Sequence, residues 1–332
     1  PQKRTSGSSR SHSLLGGRGV AAAAIAPSAA FAQAFPSRSL RLAVGFAPGT
    51  GPDVVARTLG QRLGDLLQQP LVIENRAGAG GQIAAQFVAK SPPDGYTLLI
   101  ADVSAISIAP AAFSRLGYDP AKELVAVSEV VRTDFILVVP NQSPARTVAE
   151  FARLAAASRE KTNFGTFGAG TPGHFGAEMF AEQAGFKVEP VHYRATGDAV
   201  SAIIAGDVQG AFVSTALATA QVKGGKMRAL ATTAPQRAPL LPEVPTFAES
   251  GFPKADFSAW FVLFVPAGTP PGVIATLNEQ AIAAVRTPDV RRRLEEAGFS
   301  VLGTSQAEAA RMVVDETAKW KKVVAATGFK GD

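Results

Sequence analysis

Residues 40–53 read LRLAVGFAPGTGPD. Leu40, Leu42, Val44 and Phe46 alternate with Arg41, Ala43 and Gly45, which is the period of a strand. A Pro/Gly turn follows, then a helix from Pro52 whose apolar positions Val55, Leu59, Leu63 and Leu66 share one face. A strand handed to a helix through small residues leaves unpaired backbone N–H groups around one concave spot. Those donors and the helix dipole attract anions. No lysine follows the glycines, so this is not the phosphate loop of a nucleotidase. The segment reads as half of a carboxylate-binding site, with Phe46, Ala47, Gly49, Thr50, Gly51 and Asp53 as the residues expected to meet the ligand.

The same handover recurs downstream. A strand at 71–74 leads through Arg76-Ala77-Gly78-Ala79-Gly80-Gly81 to a helix around 83–89, and a third strand is expected at 96–101. A second set follows: a helix at 148–157, a strand at 163–167, a helix from Pro172, a strand at 188–193, a helix at 199–205 and a strand at 228–232. Short strands alternating with amphipathic helices predict an α/β fold around a parallel sheet. Thr147 with Glu150, and Ser305 with Glu308, carry the capping-box spacing that opens a helix.

Val139-Pro140-Asn141-Gln142-Ser143-Pro144 and Val265-Pro266-Ala267-Gly268-Thr269-Pro270 share the pattern V-P-x-x-[ST]-P. Each follows a fully apolar run, 135–139 and 260–265, and precedes an amphipathic helix that Ser143 or Thr147, and Thr269, are placed to cap. A common strand-to-helix junction accounts for the pair. So do two strands crossing between two lobes, 36–135 with 260–332 and 136–259, which puts a cleft and a hinge between them.

The chain has 332 residues, 46% apolar and 18% charged, a length that suggests about two domains. Lys3, Arg4 and Arg10 precede an Ala-rich run over 20–32 that ends in Ala30-Phe31-Ala32, the pattern of a secretory signal peptide over 1–32. That run is too short to span a bilayer. Without the four basic residues of 1–32, 29 basic side chains face 27 acidic ones and the formal charge falls from +6 to +2. No basic stripe with interleaved aromatics remains, which argues against a nucleic-acid partner. Zero cysteines exclude disulfides, thiolate metal sites and a cysteine nucleophile. Outside 1–32 only His174 and His192 carry imidazoles, and neither has metal-ligand spacing or a nucleophile beside it. No catalytic residue, metal or cofactor is expected.

Eight segments in order carry a family resemblance: the loop at 46–53, ENRAGAGG (74–81), PDGYTLL (93–99), NFGTFGAGTPGHF (163–175), HYRATG (192–197), GKMRALA (225–231), LPEVPTFAESG (241–251) and WFVLFVPAGTP (260–270). Over 36–328 the chain resembles the Bug-type periplasmic solute receptors of tripartite tricarboxylate transporters. The resemblance implies a two-lobed, type II-like periplasmic binding fold whose cleft holds a small carboxylate: a di- or tricarboxylate, an acidic amino acid or an aromatic acid. It implies a monomer in the periplasm that delivers solute to the transporter's membrane subunits.

On that reading lobe one adds Asp102 and Ser104 to its loop. Lobe two offers Thr166, Gly168, Gly170, Thr171 and His174, with Tyr193, Arg194 and Thr196. Pro52 stands where the family carries Thr or Ser, which removes one N–H and one hydroxyl, and Arg194-Ala195 stands where Lys-Gly is common. Arg194 is suited to pair bidentately with a carboxylate. Asp53 suits a helix's first turn in any case, or receives a donor on the solute. His174 reads as a pocket wall or a structural hydrogen bonder.

Two rivals remain. Residues 168–173 satisfy G-x-G-x-x-G after a strand, as in an NAD-dependent oxidoreductase, but the strand is short and polar and Glu189 falls only loosely at the distance of the ribose-binding acid. A ligand sensor unconnected with transport shares every feature of the receptor. A regulator's effector domain would carry a helix-turn-helix in place of the leader.

Overall fold

The computed structural model describes residues 35–193 and 195–331; the leader read over 1–32, and Arg194, lie outside the described residues. Among the described residues ten strands form the sheet: β1 (Leu40–Val44), β2 (Leu71–Asn75), β3 (Thr97–Asp102), β4 (Leu124–Pro140), β5 (Thr162–Thr166), β6 (Val188–His192), β7 (Gly210–Ser214), β8 (Met227–Thr232), β9 (Ser258–Pro266) and β10 (Ser300–Val301). Their order is β2-β1-β3-β9-β4-β7-β5-β6, with β8 and β10 also paired to β4.

The expected parallel sheet is only part of the result. β1 runs parallel to β2 and β3, and β5 parallel to β6 and β7, but β9 is antiparallel to β3 and β4, and β4 antiparallel to β7, β8 and β10. β3 and β9 are buried along their whole length, as strands covered on both faces must be.

β4 decides the architecture. Its Leu124–Asp134 portion pairs with β9, whereas Phe135–Val138 pairs with β7 and Ile136–Pro140 with β8. The apolar run at 135–139 is therefore only the last part of a 17-residue strand. Ser128, Glu129, Arg132, Thr133 and Asp134 break the apolar pattern of the first half, and their polar groups are partly satisfied by neighbours: Ser128 Oγ donates to the Thr304 carbonyl at 2.8 Å and Arg132 Nε to Glu129 at 2.8 Å. The sequence reading also omitted β7 and β10.

Capping follows the sequence in part. The Ser305–Glu308 box is complete and opens the Gln306–Thr327 helix. Thr147 caps Val148–Ala157, but the Glu150 carboxylate accepts from the Arg146 N–H, one residue earlier than a box requires. Thr269 caps nothing. Its hydroxyl donates to the Pro266 carbonyl at 2.7 Å, and the Pro271–Arg286 helix starts without a side-chain cap.

One core runs through both groups of strands. Trp260 on β9 and Trp320 on the C-terminal helix are fully buried, and Trp320 meets Phe175 and Phe257 with ring centroids 6.2 and 6.4 Å apart.

Candidate functional site

Three helices begin just beyond the C-terminal ends of β1, β5 and β6: Gly51–Leu67, Pro172–Ala184 and Thr196–Ala205. None has a side-chain cap, although Thr50 and Thr171, both good capping residues, hold two of the N-cap positions. The Thr50 hydroxyl donates to the Ala47 carbonyl at 2.7 Å and the Thr171 hydroxyl to the Gly168 carbonyl at 2.8 Å. Each threonine thus tightens its own turn and leaves first-turn N–H groups open to an anion.

In the first group, Asp53 organises the loop from within. Its buried carboxylate accepts the Gly49 N–H at 2.8 Å, Arg57 Nε at 2.9 Å and the Asn75 amide at 2.8 Å, and the same Asn75 amide reaches the Phe46 carbonyl at 3.0 Å. Burial raises its pKa, but the bonds from Arg57, Gly49 and Asn75 outweigh that and hold it below the ordinary carboxylate value. The receiving of a solute donor, expected of Asp53, competes with three bonds already made. Phe46 is half-buried beside Gly81, while Ala47, Gly49 and Gly51 are exposed.

Asp102 ends β3 and bonds back to Ser104, accepting its N–H at 3.2 Å and its hydroxyl at 3.1 Å. Burial pushes its pKa up to about 6 against these bonds. The chain's own carboxylate thus already accepts donors at the start of the π-helical turn Ser104–Ile108.

In the second group, Gly168 and Gly170 have φ of +117° and +72°, which explains the glycines of this turn without a phosphate. Buried His174 accepts the Gly170 N–H on Nδ1 at 3.2 Å. Burial, then His192, lowers its pKa to about 4, so it is neutral at pH 7. Thr166 is fully buried, its hydroxyl 2.7 Å from His192 Nδ1 and its carbonyl accepting the Tyr193 N–H at 3.1 Å. Thr196 is exposed at its helix start.

Aromatic contacts bridge the groups. A Cβ built on Gly170 would lie 3.5 Å from the Phe113 ring, and the Phe329 ring lies 4.8 Å from that of His174. Gly331 donates to the Ala112 carbonyl at 2.8 Å, so the C-terminal tail touches both groups. Two open cavities lie elsewhere, about 580 Å³ beside Gln142 and Asn163 and about 690 Å³ beside Asp134 and Arg237.

The sequence reading missed His192. It named the HYRATG segment but left its histidine out of the site, and only the register of β5 with β6, which sets Thr166 opposite His192, brings the two together. Glu189 sits opposite Asn163 and ion-pairs with Lys161, away from the glycine turn that a dinucleotide-binding acid would have to serve.

Open helix starts at strand ends, on two groups of strands sharing one long strand, are the geometry of a site for a small anionic solute. The family model described as "Tripartite tricarboxylate transporter family receptor" matches residues 55–329, and the chain belongs to that family. It is 31% identical to Protein BugT of Bordetella pertussis over 300 residues, 90% of this chain and 92% of the relative. Among solved structures it resembles Rpa4515 of R. palustris with adipate (TM-score 0.82, 30% identity, 89% of this chain and 99% of that one). It also resembles MatC of Rhodopseudomonas palustris with bound malate (TM-score 0.79, 32% identity, 87% and 100%). The family is one of solute receptors rather than enzymes.

Proposed function

We propose that this chain is an extracytoplasmic receptor that binds a small carboxylate between two lobes, 36–135 with 260–332 and 136–259, and delivers it to the membrane subunits of a tripartite tricarboxylate transporter. The observation that carries the reading is the set of uncapped helix starts at Gly51, Pro172 and Thr196. An anion at such a start gains about 0.3–1 kcal/mol from the dipole, and each charge-assisted hydrogen bond adds about 1.5–3 kcal/mol. A dicarboxylate that reaches both groups draws the lobes together, because only the closed state uses both turns. The adipate and malate held by two relatives support this solute class. The leader pattern and the family support a periplasmic protein, which acts as a monomer.

Thermal unfolding of the chain from Gln33, unfolded and refolded to strip bound solute, tests the reading against a panel of small carboxylates. A ligand at ~100 times its Kd adds about 2.7 kcal/mol. An upward shift with one acid, reduced in Thr50→Ala and Thr171→Ala, is expected. A panel without any shift overturns the proposal.

A further inference from the structure

The strand ends that form the second half of the site bring together Thr166, which the sequence placed in the site, and His192, which it did not. Thr166 closes β5, His192 closes β6, and their register sets them side by side. The Thr166 hydroxyl, fully buried, lies 2.7 Å from His192 Nδ1, whereas the His192 residue is exposed. That bond fixes the ring and leaves Nε2 on its opposite edge. The His174 ring stands edge-on to it, with centroids 4.8 Å apart.

We propose that His192 is a solute-contacting, specificity-determining residue, whose Nε2–H donates to a carboxylate of the bound solute and whose imidazole takes up a proton as a polyanionic solute binds. This rests on the receptor reading above. The Thr166 hydroxyl makes both charge states compatible with one ring position. In the neutral ring its O–H donates to Nδ1. In the imidazolium, Nδ1–H donates to Oγ1, and the hydroxyl proton turns toward the Gly168 carbonyl, 3.4 Å away. Nε2 is a donor in both states, so the ring need not flip when it gains a proton from solvent.

The surroundings favour a ring that is neutral until an anion arrives. Desolvation of the ring edge held against Thr166 and His174 lowers the His192 pKa, and Glu189 on its own strand opposes this only partly. Glu189 is ion-paired to Lys161, at the start of β5. On the Pro172–Ala184 helix, His174 is neutral at pH 7, and Glu178 has its pKa raised by burial and then by Glu189. A carboxylate at Nε2 adds the opposite charge that raises an imidazole pKa. Binding and proton uptake are then linked.

The test is titration calorimetry of the chain from Gln33 with malate, adipate and further small carboxylates at pH 7, in two buffers of different ionisation enthalpy. The unsubstituted protein is expected to take up a fraction of a proton on binding. His192→Gln, which keeps a donor but cannot titrate, should take up less proton on binding than the unsubstituted protein, and its affinity should change less between pH 7 and 8, above the titration of Asp102 near 6. His192→Ala should bind about tenfold more weakly or worse, the loss of one charge-assisted bond. Binding without proton uptake, at equal affinity in His192→Ala, overturns this inference and leaves the receptor reading standing. No binding of any carboxylate by the unsubstituted chain overturns both.

Discussion

Asp53 Oδ2 accepts the backbone N–H of Gly49 at 2.8 Å, closing the loop between β1 and the following helix from the inside. The same carboxylate holds Asn75, and Asn75 holds Phe46. Asp53→Ala strips an acceptor from the Gly49 N–H, the Asn75 amide and Arg57 together. A loss of about 2–3 kcal/mol in denaturant unfolding is expected, with carboxylate binding weakened because the loop loses its shape. The folded-state pKa is lowered, so the stabilisation is complete above the unfolded carboxylate value of about 3.9 and fades as pH falls through the lower folded value. Asp53→Asn should remove that acid-side dependence.

Asp102 works in the opposite sense. Its pKa rises from 3.8 to about 6, so the folded state bears the cost of a buried charge once pH exceeds the unfolded value. The Asp102 contribution to stability falls as pH climbs from about 4 through 6 and stays lower above. Asp102→Asn, which can still pair with Ser104, should gain on the order of 2 kcal/mol at pH 8 and almost nothing at pH 3.5. Tm measured across that range checks this.

His174 mirrors Asp102. Its pKa falls from 6.5 to about 4, so its contribution is complete above 6.5 and is lost as pH drops toward 4. Between pH 4 and 6 the two residues nearly cancel, each on the order of 2–3 kcal/mol. Single substitutions uncover the hidden slopes. Asp102→Asn should steepen the loss toward acid, and His174→Gln the loss toward neutral pH. Parallel profiles in both variants would contradict this pairing.

Gly45 meets backbone rather than side chain. A Cβ there would stand 2.4 Å from the Gly81 Cα, and neither segment can yield without moving the Phe46 loop. Gly45→Ala is expected to cost about 1–3 kcal/mol. It should weaken carboxylate binding beyond that loss, measured at a temperature where the variant is fully folded.

Local pattern revealed most of what local physics decides. The strand at 40–44 and the helix at 148–157 were legible because their periodicity and caps agree with their burial. The Leu124–Asp134 portion of β4 was not, because Glu129 and Arg132 pair with each other within a strand whose composition reads as polar. In the site, the turn at 168–170 was legible as a run of glycines between a strand and a helix, and the structure shows the positive φ that requires them. Two things depended on tertiary register instead: that Thr166 meets His192, and that Asp53 already has partners from residues 22 and four positions away.

β4 also sets how the molecule comes apart. Its last residue paired with β9 is Asp134, and its first paired with β7 is Phe135, so no linker separates the two ladders. Peeling the strand from one ladder frays the other, and residues 35–332 form one compact unit. Heat or denaturant should therefore meet a single cooperative transition instead of two steps. The slowest amide hydrogen exchange should lie near the junction, at Val131 and Leu137, so that the strand shared by both ladders is the last to let in solvent.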